Sequence, residues 1–292
     1  MGLQVVRKCV VLLAACAHAT PATSVALRSA CPDDAYWDGK ACQARGDGAK
    51  HIAAGADAIA AFDLDHAKTD LDEADKAGHL AHDANVRLWE QRGIAAAYVD
   101  DDKTARAAFD MMLALDPGHF LSYRLSPKAT FVFDDMRTGK RVAPEVQLDL
   151  PRGDRVGDPL PIGIGVVADP KHFLHRGTLF VRERGEASWR AADVALGDTK
   201  TVVIPPVEGT KPVSLEVYLR AYDDRDNEVL VWGDPEHPRE IALRYEPPTP
   251  WYRKWWVVTL GIVAVAATTG IVVYEETLAP PDKITGTGSV AH

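Results

Sequence analysis

The chain has 292 residues, of which 47% are hydrophobic and 26% are charged. These fractions are ordinary for a globular protein and exclude a wholly disordered or collagen-like chain. The formal net charge of −9 argues against nucleic acid as a partner, because phosphate binding needs clustered lysine and arginine. At roughly 100–200 residues per domain, the length predicts one or two domains.

Residues 1–19 have the three parts of an export signal. Arg7 and Lys8 form the positively charged N-terminal region, residues 9–17 form a short apolar run, and Ala17-His18-Ala19 is a small-residue cleavage site. Residues 13–16, Leu-Ala-Ala-Cys, also resemble the lipobox of bacterial lipoproteins, in which Cys16 becomes the lipidated N-terminus. Cleavage after Ala19 and lipidation at Cys16 both stay open, and both predict an exported protein.

A second apolar segment, residues 255–274, contains no charged residue. At 1.5 Å per residue it spans about 30 Å, the thickness of a hydrocarbon core, which predicts one transmembrane helix. A proline-rich spacer at 246–254 precedes it and an unstructured tail at 275–292 follows. With the export signal, this predicts a single-pass protein of the inner membrane with periplasmic soluble domains and a cytoplasmic tail. Arg253 and Lys254 beside the outer end oppose the positive-inside tendency.

Cys31 and Cys42 are the two cysteines outside the predicted signal. Between them, Asp38-Gly39 is a turn dipeptide that folds the segment back on itself. We therefore expect a disulfide that closes the loop 31–42 in an oxidising compartment. Two free thiols are the alternative, and a metal site lacks further ligands at a suitable spacing.

Residues 45–137 carry a helical pattern in which apolar residues recur every three or four positions. Two stretches share gaps of twelve, four and three residues between small or apolar positions. The first has Gly55, Ala67, Leu71 and Ala74, and the second has Gly93, Ala105, Phe109 and Met112, with Trp89 before it and Pro117 after it. This spacing resembles the tetratricopeptide repeat (TPR), a 34-residue helix–turn–helix unit. The chain as a whole thus resembles a TPR protein of the type that bacteria export.

The resemblance implies that the glycines and alanines let paired helices approach closely, that Trp89 and Phe109 fill the space between them, and that Pro117 ends the second helix. Two positions depart from the family: Arg92 stands where a leucine is usual, and Ala96 stands where an aromatic is common. The first copy lacks both the tryptophan and the proline. A further helix at 128–137 caps the short array in this interpretation, and a generic helical hairpin is the alternative.

Repeat domains bind partners through the concave surface of their first helices. On the better copy this surface predicts four partner-binding residues: Arg87, Glu90, Gln91 and Ile94. Residues 47–116 also hold 15 acidic and 7 basic residues. Such a charge excess indicates either a solvated face or an acidic groove for a basic partner segment.

From residue 142 the hydrophobic period changes from helical to alternating, which predicts strands separated by Pro/Gly/Asp turns. The predicted strands are Glu145–Leu150, Ile162–Ala168, Gly177–Glu183, Trp189–Val194, Thr201–Ile204, Leu215–Asp223, Val229–Trp232 and Glu240–Tyr245. Residues 179–182, Trp189 and residues 218–223 resemble those of immunoglobulin-like or fibronectin-III-like modules. The resemblance implies an antiparallel β-sandwich at 142–245. The predicted fold class is thus α + β multidomain: a short TPR-like helical array, a β-sandwich and one transmembrane helix.

The sequence contains no Walker-type loop, nucleophile elbow or His-Glu-x-x-His motif, so we expect no enzyme activity and no cofactor. A weak Ca²⁺ candidate is the group of carboxylates in one hairpin turn: Asp223, Asp224, Asp226 and Glu228. Their spacing matches no EF-hand, and a tight polar turn is the alternative. No other metal site is predicted.

These patterns predict a non-enzymatic, membrane-anchored interaction or scaffold protein of the bacterial cell envelope, with a protein partner that the sequence does not identify. The alternative is an envelope sensor whose sandwich binds Ca²⁺ or carbohydrate.

Overall fold

The computed structural model describes residues 23–122, 124–139, 141–197, 200–247, 250, 253–256, 259–260 and 263. Within these residues the chain begins with short strands, continues through helices and ends in longer strands. The first strands are β1 (Thr23–Ser24), β2 (Arg28–Ser29), β3 (Ala35–Trp37) and β4 (Cys42–Ala44). The helices are α1 (Gly48–Ala60), α2 (Leu64–Ala77), α3 (His82–Tyr98), α4 (Asp102–Leu115) and α5 (Pro127–Arg137). The later strands are β5 (Glu145–Asp149), β6 (Leu160–Ala168), β7 (Arg176–Glu183), β8 (Arg190–Ala195), β9 (Lys200–Ile204), β10 (Val213–Tyr222), β11 (Glu228–Trp232) and β12 (Arg239–Leu243).

Side-chain caps begin three of the helices. Asp63 before α2 and Asp101 before α4 each accept a hydrogen bond from the backbone N–H three residues on, at 3.3 and 3.1 Å. Ser126 caps α5 by accepting a hydrogen bond from the backbone N–H of Lys128, two residues on, with proline at the first helical position. Phe62 and Asp100, just before the two aspartates, have positive φ angles, so the chain reverses in short turns. Consequently α1 and α2 form one antiparallel hairpin, and α3 and α4 form another.

Glycine allows the paired helices to approach closely. An ideal Cβ added at Gly93 would lie 2.4 Å from a ring carbon of Phe109, and one added at Gly55 would lie 3.0 Å from the side chain of Leu71. Of the eight packing residues named from sequence, six are buried, Trp89 is half-buried and Pro117 is exposed beyond the end of α4.

Two sheets pack face to face after the helices. One has the strand order β1-β9-β6-β5, and the other has the order β11-β10-β7-β8-β2, with β12 also paired to β10. Their inner faces enclose the apolar side chains of alternating positions, among them Ile162, Leu179, Val181, Val202, Leu215 and Leu219. The β-rich region predicted after residue 142 is therefore confirmed.

The sandwich also takes in residues from before the helices. Strand β1 pairs in parallel with β9, where Thr23 lies opposite Val202, and β2 pairs antiparallel with β8, where Arg28 lies opposite Ala191. The same short N-terminal segment thus contributes to both sheets. Because β1 and β2 precede α1 and the remaining sandwich strands follow α5, the helices are an insertion within the sandwich.

The predicted fold class is wrong. The described residues through Tyr245 form one compact mixed α/β unit, not separate helical and β domains, because the helices are inserted in the sandwich and bonded to it. Two helical hairpins and one further helix do not make a TPR array, since such arrays need at least three stacked repeats to bury a continuous core.

The membrane-helix part of that fold class is likewise not supported. Among the residues that the structure describes, no helix has the length and apolar character needed to cross a bilayer. Most of the predicted span at 255–274 lies outside the described residues, as do the predicted signal at 1–19, with its lipobox at 13–16, and the predicted tail at 275–292.

A buried carboxylate joins the helices to the sheets. Glu228, at the start of β11, has a side chain only 5% exposed, and it pairs with Arg45 at 2.5 Å and with Arg220 at 3.4 Å. Its backbone N–H donates to the carbonyl of Leu80, in the loop between α2 and α3, at 2.8 Å. The side-chain oxygen of the neighbouring Asn227 accepts a hydrogen bond from the backbone N–H of Leu80 at 3.0 Å. The β10–β11 turn is therefore hydrogen-bonded to the α2–α3 loop.

The predicted disulfide between Cys31 and Cys42 is confirmed. It closes the β3–β4 hairpin, whose turn is stabilised by the Asp38 carboxylate through the backbone N–H groups of residues 40 and 41. The ring of Tyr36 on this hairpin stacks on the ring of His79 with centroids 3.6 Å apart. The disulfide loop thus packs against the α2–α3 loop, beside Glu228.

We expect Glu228→Gln to lower the free energy of unfolding by about 3 kcal/mol, because it removes the carboxylate that pairs with Arg45 and the more buried of the two that pair with Arg220. Urea denaturation measures the change. Glu240→Gln is the matched control, since Glu240 makes a 3.1 Å ion pair with Arg184 at an exposed position and its loss should cost less than about 1 kcal/mol. Equal losses in the two variants would contradict the assignment of Glu228 as the junction.

We expect Gly93→Ala to destabilise the chain by about 1–3 kcal/mol, because the added methyl group overlaps the ring of Phe109. Thermal or urea unfolding gives the value. Gly46→Ala is the control, since its new methyl group would meet only the Cβ of Ala77 at 3.9 Å. A Gly93→Ala variant as stable as Gly46→Ala would show that the two helices can separate without cost.

Burial of the His79 imidazole lowers its pKa from the ordinary 6.5, and nearby Arg176 and Arg45 act in the same direction, against the carboxylate of Asp226. The unfolded chain therefore takes up this proton first, and stability should fall as pH decreases from about 7 toward 5. His79→Asn should reduce that slope, and asparagine suits the positive φ at this position. Urea unfolding at several pH values tests this, and an unchanged slope would contradict it.

Candidate functional site

A groove of about 480 Å³ lies between α2 and α4, with α3 as its floor. Helix α3 packs against both neighbours, whereas α2 and α4 stand apart above it. The floor is low because its side chains are small: Ala95 and Ala96 from α3 and Ala108 from α4, beside Leu71 from α2. We call this space the α2–α4 groove.

The rim of the groove carries charged side chains. Asp65 and Lys68 line it from α2, and Asp101 and Thr104 line it from α4. Hydrogen bonds from Thr104 lower the pKa of the Asp101 carboxyl, so it is ionised at neutral pH. The groove therefore combines an apolar floor with charged walls.

One end of the groove is apolar. Val99 lines this end and is 57% exposed. Phe62, just before the cap of α2, is 73% exposed and lies outside the groove lining. The ring of Phe62 stacks on that of Tyr98 with centroids 5.6 Å apart. Large exposed apolar side chains beside a concave surface are typical of interaction sites.

The other end of the groove is bounded by ion pairs. Arg92 on α3 bonds to Asp72 at 2.8 Å and to Asp75 at 3.1 Å, both on α2. Its guanidinium lies over the ring of Trp89, 5.0 Å from the centroid. The arginine is thus fixed between two helices, and the groove changes from apolar to ionic along its length.

The four partner-binding residues predicted from sequence do not line this groove. Arg87 is exposed, Gln91 is half-buried, and Glu90 pairs with His119 at 3.2 Å. Ile94 is 1% exposed and belongs to the core, so it cannot contact a partner. These residues occupy the face of α3 away from the groove, which is buried at Ile94 and exposed at Arg87.

Sequence reasoning missed the groove, although a signal was present. Trp89, Arg92, Ala96 and Val99 recur at gaps of three and four residues, which places them on one stripe of α3. Two of them, Arg92 and Ala96, are the positions that depart from the repeat pattern. The departures therefore indicated the open face of the helix.

The weak Ca²⁺ candidate is engaged in other contacts. Asp223 accepts hydrogen bonds from the backbone N–H groups of residues 225 and 227, at 2.9 and 2.8 Å, and burial raises its pKa. Asp226 pairs with Arg176 at 2.5 Å, and Glu228 is the junction carboxylate. Asp224 alone of the four is exposed and without a hydrogen bond in the described part of the chain. Within that part, no group of three or more metal-ligating side chains is arranged to hold a metal ion.

No protein-family model and no curated protein matches the chain. Eight chains among solved structures do, and one of them is a cohesin module from the Clostridium perfringens ATCC13124 family 33 glycoside hydrolase. It is 9% identical, and the alignment covers 35% of this chain and 98% of the module with a TM-score of 0.21. At this TM-score the likeness carries no argument, and function must be argued from the residues of the groove.

Proposed function

We propose that the chain is a non-enzymatic protein-interaction module of the bacterial cell envelope. Its α2–α4 groove binds an amphipathic, basic segment of a partner protein. The single observation that carries this proposal is the groove itself, with an apolar floor, the exposed side chain of Val99 at one end, and walls on which Asp65, Asp72 and Asp101 outnumber Lys68 and Arg92.

The size and shape of the groove support a segment of protein as the occupant. The groove has a volume of about 480 Å³ and is lined by residues of three helices, α2, α3 and α4. Its course along α2 and α4 suits a helix or extended peptide laid lengthwise, the helix-in-groove mode of recognition. Val99 lines the groove and offers an exposed apolar contact, where a partner's own apolar side chains would be removed from water.

The charge of the helices supports a basic occupant. Residues 47–116 contain 15 acidic and 7 basic side chains. Of the cations at the groove, Arg92 is already paired with Asp72 and Asp75, which leaves Lys68 against the carboxylates of the rim. Complementary charge speeds association and excludes acidic competitors.

The disulfide supports the compartment in this proposal. Structural disulfides persist in oxidising compartments such as the bacterial periplasm and are rare in the cytosol. The Cys31–Cys42 bond therefore supports export, as the residues 1–19 predict. The proposal concerns the described residues through Tyr245 and does not include a membrane helix.

The probe for this proposal is a fluorescent amphipathic helix of about 16 residues with leucines on one face and arginines on the other, the arginine peptide. We expect it to bind the full chain, and we expect Ala107→Arg to weaken binding at least tenfold. Ala107 is exposed on α4 and lines the groove, so arginine there both narrows the groove and repels the peptide. Fluorescence anisotropy gives the dissociation constants.

Two further variants complete this test. Ala107→Glu adds similar bulk with the opposite charge and should weaken binding less than Ala107→Arg. Ala54→Arg places the same charge on an exposed position of α1 outside the groove and should change affinity less than twofold. No binding of the arginine peptide to any variant, or equal weakening by Ala107→Arg and Ala54→Arg, would overturn the proposal.

A further inference from the structure

The α2–α4 groove continues toward the sandwich through two more cavities. A middle cavity of about 470 Å³ is lined by Asp72, Asp75, Lys76, Arg92 and Arg225. A far cleft of about 340 Å³ follows, lined by residues of α3, α4, the β10–β11 turn and the β6–β7 loop, the last of which contributes Lys171, already paired with Asp110. Asp72 and Arg92 line both the groove and the middle cavity, and Asp75 and Arg225 line both the middle cavity and the far cleft. The three spaces therefore form one path along α2.

Asp75 lines both the middle cavity and the far cleft and lies between two arginines. Its side chain is 16% exposed; it forms an ion pair with Arg92 on α3 at 3.1 Å and accepts a hydrogen bond from Arg225 on the β10–β11 turn. Arg92 is immobilised by additional bonds to Asp72 and to the carbonyl of Leu71. A carboxylate buried to this extent needs a cation, and Arg92 supplies one permanently.

Arg225 is held less firmly than Arg92. Its side chain is 53% exposed, at the tip of a turn, and Asp75 is the carboxylate to which its guanidinium bonds. That ion pair raises the pKa of Arg225. Ion pairs with a solvent-exposed partner contribute little to stability, so this guanidinium can leave Asp75 at small cost while Arg92 remains.

We propose that Arg225 competes with a basic side chain of the partner for the carboxylate of Asp75. It occupies Asp75 in the free chain, and an arginine or lysine of the bound segment replaces it there. This inference rests on the proposed function and specifies one feature of the bound segment. The segment places a cation at Asp75, beyond the apolar part of the groove. Displacement of Arg225 opens the path into the far cleft, where the exposed carboxylate of Asp224 is available to a second basic residue.

The first test compares two variants that each remove one positive charge from the middle cavity. Arg225→Gln frees Asp75, whereas Lys76→Gln does not, because Lys76 pairs with Glu73 at 2.7 Å. We expect Arg225→Gln to raise the affinity of the full chain for the arginine peptide about two- to fivefold, the range set by an exposed ion pair. Lys76→Gln should change it less than twofold. Equal increases would show a general charge effect and would overturn the inference, as would no increase.

The second test is a double-mutant cycle on the same peptide. Asp75→Asn should weaken binding at least tenfold, more than Asp70→Asn, which removes a charge from the same helix at a position facing His51. In the Asp75→Asn background, Arg225→Gln should no longer raise affinity. An increase that persists in that background would overturn the inference. Thermal unfolding of each variant checks folding, and if Asp75→Asn does not fold, the comparison of Arg225→Gln with Lys76→Gln decides.

The outcome also separates this inference from the proposed function. If Ala107→Arg abolishes binding while Arg225→Gln and Lys76→Gln behave alike, the groove binds the peptide and only the role of Arg225 fails. If the peptide binds none of the proteins, both proposals fail.

Discussion

The structure depends on the burial of one carboxylate. The carboxylate of Glu228 pairs with Arg45 from the segment before the helices and with Arg220 from β10. Its backbone N–H bonds to Leu80, and the side chain of Asn227 completes the contact. Three parts of the chain that are far apart in sequence therefore meet at a single turn. The inserted helices are held against the sandwich by polar contacts of fixed geometry, in addition to apolar packing.

The same turn determines where the groove ends. Arg225 lies three residues before Glu228, so anchoring Glu228 at the α2–α3 loop places the guanidinium of Arg225 beside Asp75 on α2. The backbone carbonyl of Arg225 also accepts the N–H of His79. The sandwich thus contributes a side chain to a site that is otherwise helical, and the site is complete only because the helices are inserted in the sandwich.

Local sequence patterns predicted much of the fold. The connectivity of the sheets could not be predicted in this way, because it depends on contacts between residues that are distant in sequence. The strands after residue 142 were predictable because one buried face gives alternation within a single strand, as in β10. Strands β1 and β2 have two residues each, which is too short for any periodicity, and their pairing with β9 and β8 depends on partners more than 150 residues away. The insertion of the helices was therefore invisible to sequence analysis, and a chain of separate domains was predicted in its place.

The candidate site also depends on residues that are distant in sequence, and two of its residues were visible in the sequence as departures from a repeat pattern. Four carboxylates close together in sequence suggested Ca²⁺, yet Glu228 pairs with Arg45, which is 183 residues away. Conversely, Arg92 and Ala96 looked like imperfections in a packing pattern. A leucine and an aromatic at these positions would fill the space between α2 and α4, whereas a small residue and an ion-paired arginine leave it open. Helix α3 keeps Gly93, the glycine that lets it pack closely against α4. Its departures from the repeat pattern at Arg92 and Ala96 are therefore better explained by an open binding surface than by a loss of the packing pattern.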